Sequence, residues 1–144
     1  MACCAEGCVD GGVFRLSVWP DVPAALKELT AAGYRLGFLS NFTPRMLKEN
    51  VDRCGLGGYF SHLLSVDGVR SYKPDPRAYR MGMDAFGVRK EEVLFVASAG
   101  WDACGASQFG YKTYWVNRFH VPGERLGASS YGVGKDLNDL VRYL

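Results

Sequence analysis

Polar residues follow apolar runs at three places in this chain. Ser40 and Asn41 follow Phe38-Leu39, Lys73 lies in Ser71-Tyr72-Lys73-Pro74-Asp75-Pro76, and Ser98 and Asp102 follow Phe95-Val96-Ala97. In an open parallel sheet, the loops leaving the carboxyl ends of the strands converge where the strand order reverses, so such residues can share one site. A hydroxyl and backbone donors can hold an oxyanion, a lysine can offset carboxylate charge, and an aspartate can position that lysine or a water. Together they suit attack at a carbon or phosphorus centre bearing anionic oxygens. Each residue also has a plain structural role: Ser40 can cap a turn, Asn41 can take a left-handed loop position, Lys73 can be solvated, and Asp102 can cap its helix. Their ordered placement after successive strands favours the shared site.

The elements that must position these residues are marked by proline and glycine. A helix is expected from near Asp21, with Pro23 in its first turn, Val22, Leu26 and Leu29 on one face, and Gly33 as its stop. Tyr34-Arg35-Leu36-Gly37-Phe38-Leu39 follows as a strand. Thr43 and Pro44 open a second helix whose Met46, Leu47, Asn50, Val51 and Cys54 share a face before Gly55. His62-Leu63-Leu64-Ser65-Val66 is a short strand, and Asp75-Pro76 opens a helix carrying Tyr79, Met83 and Phe86 as far as Gly87. Val93-Leu94-Phe95-Val96 is continuous and bulky, as expected of a central strand covered on both faces. A short helix from about Trp101 to Phe109, a strand over Lys112-Thr113-Tyr114-Trp115-Val116, and a weak helix over residues 136–141 complete the chain. This alternation predicts an α/β fold, a Rossmann-like three-layer core with a mostly parallel sheet.

Composition excludes several functions. The 144 residues, 48% hydrophobic and 22% charged, suit one soluble domain, and a net charge of +2 spread without blocks gives no electrostatic footprint for nucleic acid or a membrane surface. The opening residues lack the basic flank and apolar core of a signal peptide, and no apolar run has the length of a bilayer, so a cytoplasmic location is expected. The five cysteines, an odd number, are read as free thiols. Cys3, Cys4 and Cys8 cluster, but no histidine or second cysteine pair lies near in sequence to complete a zinc site, and no metal or other cofactor is expected. Asn41-Phe42-Thr43 would be a glycosylation sequon only in a secreted protein.

The ordered motifs resemble the haloacid dehalogenase superfamily, and within it the (S)-2-haloacid dehalogenases. Phe38-Leu39-Ser40-Asn41 is similar to the family's second motif, the segment from Val69 to Tyr79 to its third, and Val96-Ala97-Ser98-Ala99-Gly100-Trp101-Asp102-Ala103 to its fourth. The likeness runs from about Val13 to Leu144, which leaves residues 1–12 as an N-terminal tail and residues 13–144 as a core domain without a cap. It implies that Ser40 and Asn41 hold a substrate carboxylate, Lys73 neutralises a nucleophilic carboxylate, Tyr79 steadies the lysine, and Asp102 orients the site. Ser98 counts with the substrate-binding residues. In such enzymes an aspartate displaces halide from the carbon beside the carboxylate, and water then hydrolyses the ester to a 2-hydroxy acid without a metal. The implied partner is a small carboxylate or halogenated acid. Phosphatases of the superfamily carry a metal-binding carboxylate where this chain has Ser98, and a hydroxyl is a poor ligand for magnesium, so phosphoryl transfer ranks last.

Three departures set this chain apart from the resemblance. Ala97 and Ala99 replace a serine and an asparagine, the cap is missing, and the first motif with its aspartate nucleophile is not found. Asp10, in Cys8-Val9-Asp10-Gly11-Gly12, is the one substitute, though the residues before it are poor strand formers. The lost first strand would lie beside Phe95, and Phe14, Leu16 and Val18 alternate with polar residues like a strand. Either the sheet rearranges or a second copy covers the gap, which would make a dimer. Two functional readings follow: a dehalogenase-type hydrolase that is impaired or uses Asp10, and a non-catalytic module that keeps Ser40, Asn41 and Lys73 as an anion cradle.

Overall fold

The structure, a computed structural model, describes residues 17–144. The tail over residues 1–12, Asp10, Cys3, Cys4, Cys8 and the strand-like residues 13–16 lie outside the described residues.

Local signals place most elements. Helix α1 (Val22–Ala31) carries Pro23 in its first turn, and the chain turns away at Gly33, whose φ of 86° suits a residue without a Cβ. Strand β1 (Leu36–Ser40) is buried along its whole length. In α2 (Pro44–Arg53) the Thr43 hydroxyl accepts the Met46 N–H at 3.4 Å, the expected first-turn cap. Strand β2 (Phe60–Ser65) leads to α3 (Pro76–Phe86), where the Asp75 carboxylate accepts the Arg77 N–H at 2.8 Å. Strand β3 (Leu94–Ala97), helix α4 (Gly100–Phe109) and strand β4 (Lys112–Val116) follow, then strand β5 (Gly132–Gly134) and helix α5 (Leu137–Tyr143).

Among the described residues the strands form two parallel groups, β1-β2 and β3-β4-β5. Strand β3 was expected to be central; among the described residues it pairs with β4, which lies between it and β5. Its burial on both faces is nevertheless as expected. Val96 packs with α1, α2 and α5 through Leu26, Leu47 and Leu140, while Phe95 and Ala97 pack with α3 and α4 through Tyr79, Ala103 and Ala106. Strand β1 divides in the same way, Phe38 facing the first layer and Leu39 the second. The result is three layers, with helices on both faces of a parallel sheet.

Strand β5 was not anticipated, because Gly-Val-Gly has little strand propensity. Its glycines fit beneath Tyr114: a Cβ on Gly132 would meet that ring at 2.7 Å. The strand exists because a bulky neighbour on β4 needs a smooth surface there.

The start of α1 is tied to the far end of the chain. Both terminal guanidinium nitrogens of Arg118 donate to Asp21 at 2.9 Å, and the Leu137 N–H donates to the same carboxylate at 2.8 Å. Burial works to raise the Asp21 pKa, but the hydrogen bonds and charge of Arg118 outweigh it and hold the carboxyl below its ordinary value. A depressed carboxylate contributes stability that is present above the ordinary carboxylate range and is lost as pH falls through the folded value. Asp21→Asn is therefore expected to cost about 1–2 kcal/mol at neutral pH. The loss should shrink toward zero in acid, as urea melts across pH would show. An equal loss at every pH would contradict this account.

Candidate functional site

Ser40 ends β1, Lys73 sits in the loop that enters α3, and Asp102 lies in the first turn of α4. These elements bring Lys73 Nζ to 2.5 Å from Asp102 Oδ2, with the two side chains 2% and 1% exposed. The same ammonium donates to the Leu39 carbonyl at 3.4 Å and lies 5.6 Å from the centre of the Phe95 ring and 5.9 Å from that of Trp101. Tyr79, fully buried, donates its hydroxyl to Asp102 Oδ1 at 2.9 Å. Both oxygens of the carboxylate are thus engaged, which is the condition under which a charge pair tolerates removal from water.

A second set of bonds fixes the loops. Asn41 Oδ1 accepts the Lys73 N–H at 2.9 Å, joining the end of β1 to the lysine loop across 32 residues. The Ser40 hydroxyl accepts the Phe42 N–H at 3.1 Å, and Ser65 donates to the Phe42 carbonyl at 2.6 Å. Trp115 Nε1 donates to the Ser98 carbonyl at 3.1 Å, while the Ser98 hydroxyl is enclosed and has no hydrogen-bond partner among the described residues. Behind Tyr79, Tyr111 donates to its carbonyl at 2.6 Å, and burial pushes the Tyr111 phenol up to about 12, so it stays a donor across the physiological range. A cleft of about 350 Å³ opens beside Lys73 and Asn41, walled by Trp101, Gln108 and Leu126.

Lys73, Asp102, Tyr79 and Asn41 therefore meet in one cluster, and Ser40 stands next to it with its hydroxyl in the turn that follows β1. Tyr79 touches Asp102, so any steadying of the lysine passes through that carboxylate. Ser65 was not among the candidate residues of the sequence, although it ends β2 as Ser40 ends β1, and the two are paired in register. The strand expected over His62 to Val66 places Ser65 inside it, so the rule of residues after strands passes over it. Trp115 gave no such signal, since an aromatic within a strand looks like core. Among the described residues no three His, Cys, Asp or Glu side chains group as a metal site, and no helix is long and apolar enough to cross a membrane.

Comparison with known proteins places the chain in a family. The profile of the haloacid dehalogenase-like hydrolases matches residues 10–110. The chain belongs to that family. The haloacid dehalogenase-like chain is 44% identical over 113 residues to haloacetate dehalogenase H-2 of Moraxella sp. (strain B), covering 78% of this chain and 50% of the relative. It is 43% identical over 113 residues to the (S)-2-haloacid dehalogenase of Pseudomonas sp. (strain YL), covering 78% and 49%. Its fold superposes on the crystal structure of an L-2-haloacid dehalogenase with a TM-score of 0.88 at 44% identity, over 90% of this chain and 57% of that one. The chain spans about half the length of the curated relatives it matches.

Proposed function

We propose that this haloacid dehalogenase-like chain binds the carboxylate of a small 2-haloacid or 2-hydroxy acid and turns it over slowly or not at all. The observation that carries this reading is the enclosed Lys73–Asp102–Tyr79 cluster at the carboxyl ends of β1 and β3. The cluster and the loops around it stand at the end of a parallel sheet where such sheets bind ligands. The loop of Ser40 and Asn41 supplies neutral donors for the acid, and the Ser98 hydroxyl, without a partner among the described residues, supplies one more. Likeness to enzymes named as haloacid dehalogenases supports the choice of acid. Attack needs a second carboxylate directed at the substrate carbon, whereas Asp102 already spends both oxygens on Lys73 and Tyr79.

Chloride release from 2-chloropropionate and calorimetric binding of lactate test the proposal together. Lactate should bind, its affinity should fall about tenfold or more in Lys73→Ala, and chloride release should stay at background with or without Asp10→Asn. Turnover at an enzymic rate that Asp10→Asn abolishes would replace this reading with an active dehalogenase. Assembly as a dimer fits the proposal only where a second copy covers the sheet, and light scattering that finds only monomer at high concentration would exclude it.

A further inference from the structure

Residues 117–131 run from the end of β4 to the start of β5 as a strap that hydrogen bonds close at each end. At the first end the Asn117 side chain donates to the Val121 carbonyl at 2.8 Å and accepts the Val121 N–H at 3.0 Å. At the second the Tyr131 N–H donates to the Thr113 carbonyl at 2.7 Å. Between them the strap is seated on α4: Gln108 Nε2 donates to the Leu126 carbonyl at 2.8 Å, and the Cys104 thiol to the Ala128 carbonyl at 3.6 Å. Nearer the start of the helix, Glu124 lies over Gly100, where an added Cβ would meet its side chain at 3.5 Å.

This seating brings Leu126 to the cleft beside Lys73 and Asn41. Trp101, Gly105 and Gln108 line the same cleft from one face of α4, at the i, i+4 and i+7 positions. Trp101 marks the end near Lys73, with its ring centre 5.9 Å from the ammonium. Gln108 lies about 10 Å further along the helix at 1.5 Å per residue. Leu126, tied to Gln108, walls that far end. Gly105 and Pro74, which also line the cleft, carry no polar side-chain atom, so the cleft is polar where the Asn41 loop stands and apolar beyond it. Leu126 is 57% exposed and belongs to neither apolar layer, so its replacement reports on the cleft and not on the core.

We infer that Leu126 sets which acids the cleft takes: the alkyl substituent of a 2-substituted acid lies along α4 between Trp101 and Leu126, while its carboxylate stays at the loop of Ser40 and Asn41. This rests on the acid-binding reading above and names the part of the ligand that the reading leaves open. The cleft, about 350 Å³, falls at the lower end of the range of small-molecule sites, about 300–1,000 Å³. A two-carbon acid held at the Asn41 loop leaves the Leu126 end filled with water, whereas a longer alkyl substituent reaches it and covers the leucine. Each methylene taken from water in this way should tighten binding about three- to fourfold. The site thereby favours acids with an alkyl tail over glycolate and its halogenated analogues.

Calorimetric titration of the full chain with glycolate, lactate, 2-hydroxybutyrate and 2-hydroxypentanoate tests it. Affinity should rise about three- to fourfold with each added methylene. Leu126→Ala should weaken 2-hydroxypentanoate about tenfold and glycolate by less than about twofold, with the melting temperature unchanged. Leu126→Met, which keeps an apolar side chain of similar size, should keep the rise. A flat series in the unaltered chain overturns the inference and leaves acid binding in place. So does a Leu126→Ala variant that keeps the full rise, or one that weakens glycolate and 2-hydroxypentanoate equally. Failure of the unaltered chain to bind any of these acids overturns the acid-binding reading, and this inference with it.

Discussion

Asp102→Asn should destabilise the chain by about 3–5 kcal/mol, the usual cost of leaving one member of a buried ion pair uncompensated. The substitution preserves shape and keeps an acceptor for Tyr79, so the loss isolates the charge. Lys73, 2% exposed, then loses the charge of Asp102 in a pocket walled by Phe95 and Trp101. Removing both charges, as in Lys73→Met with Asp102→Asn, should recover most of the loss, since neither group then needs a partner. Denaturant unfolding of the two single variants and the double variant provides the thermodynamic cycle. A loss below about 1 kcal/mol in Asp102→Asn would show that water reaches the pair and that the site is open.

Gly105→Ala should cost about 2–3 kcal/mol net, an unusual outcome for this change inside a helix, where alanine ordinarily gains about 1 kcal/mol. A Cβ at this position would lie 2.6 Å from Pro74 Cβ and 2.6 Å from the Tyr79 hydroxyl. Neither neighbour is the free end of a mobile side chain. Pro74 adjoins Lys73, and Tyr79 is held by ring contacts with Phe95, Phe109 and Tyr111. Relief must move either the lysine loop or the Tyr79–Asp102 hydrogen bond, so lactate binding should weaken together with stability. Gly37→Ala offers a control: its Cβ would meet the edge of the Phe86 ring, a half-buried side chain, at 2.6 Å. A milder effect is expected there. Equal losses in the two variants would mean that Gly105 has no special tie to the site.

Much of the architecture was legible because its signals act over a few residues. Thr43-Pro44 and Asp75-Pro76 open helices through their own caps, and Gly33, Gly87 and Gly110 close them with positive φ, so chain direction changes where the residues themselves prefer it. The candidate residues were legible for a related reason: Ser40, Asn41, Lys73, Ser98 and Asp102 are polar positions just beyond apolar runs, and a parallel sheet gathers such positions at one end.

What only the tertiary structure decided depends on residues far apart in the chain. Lys73 and Asp102 are 29 residues apart, and their enclosure comes from rings on β3 and α4 that neither residue specifies. Strand β5 has no propensity of its own and forms because Tyr114 lies over its glycines. The order β3-β4-β5 among the described residues likewise follows from which backbones find partners. Local preference sets the conformation of a segment, but ladders and buried charge pairs form between segments, and their free energy depends on what lies alongside.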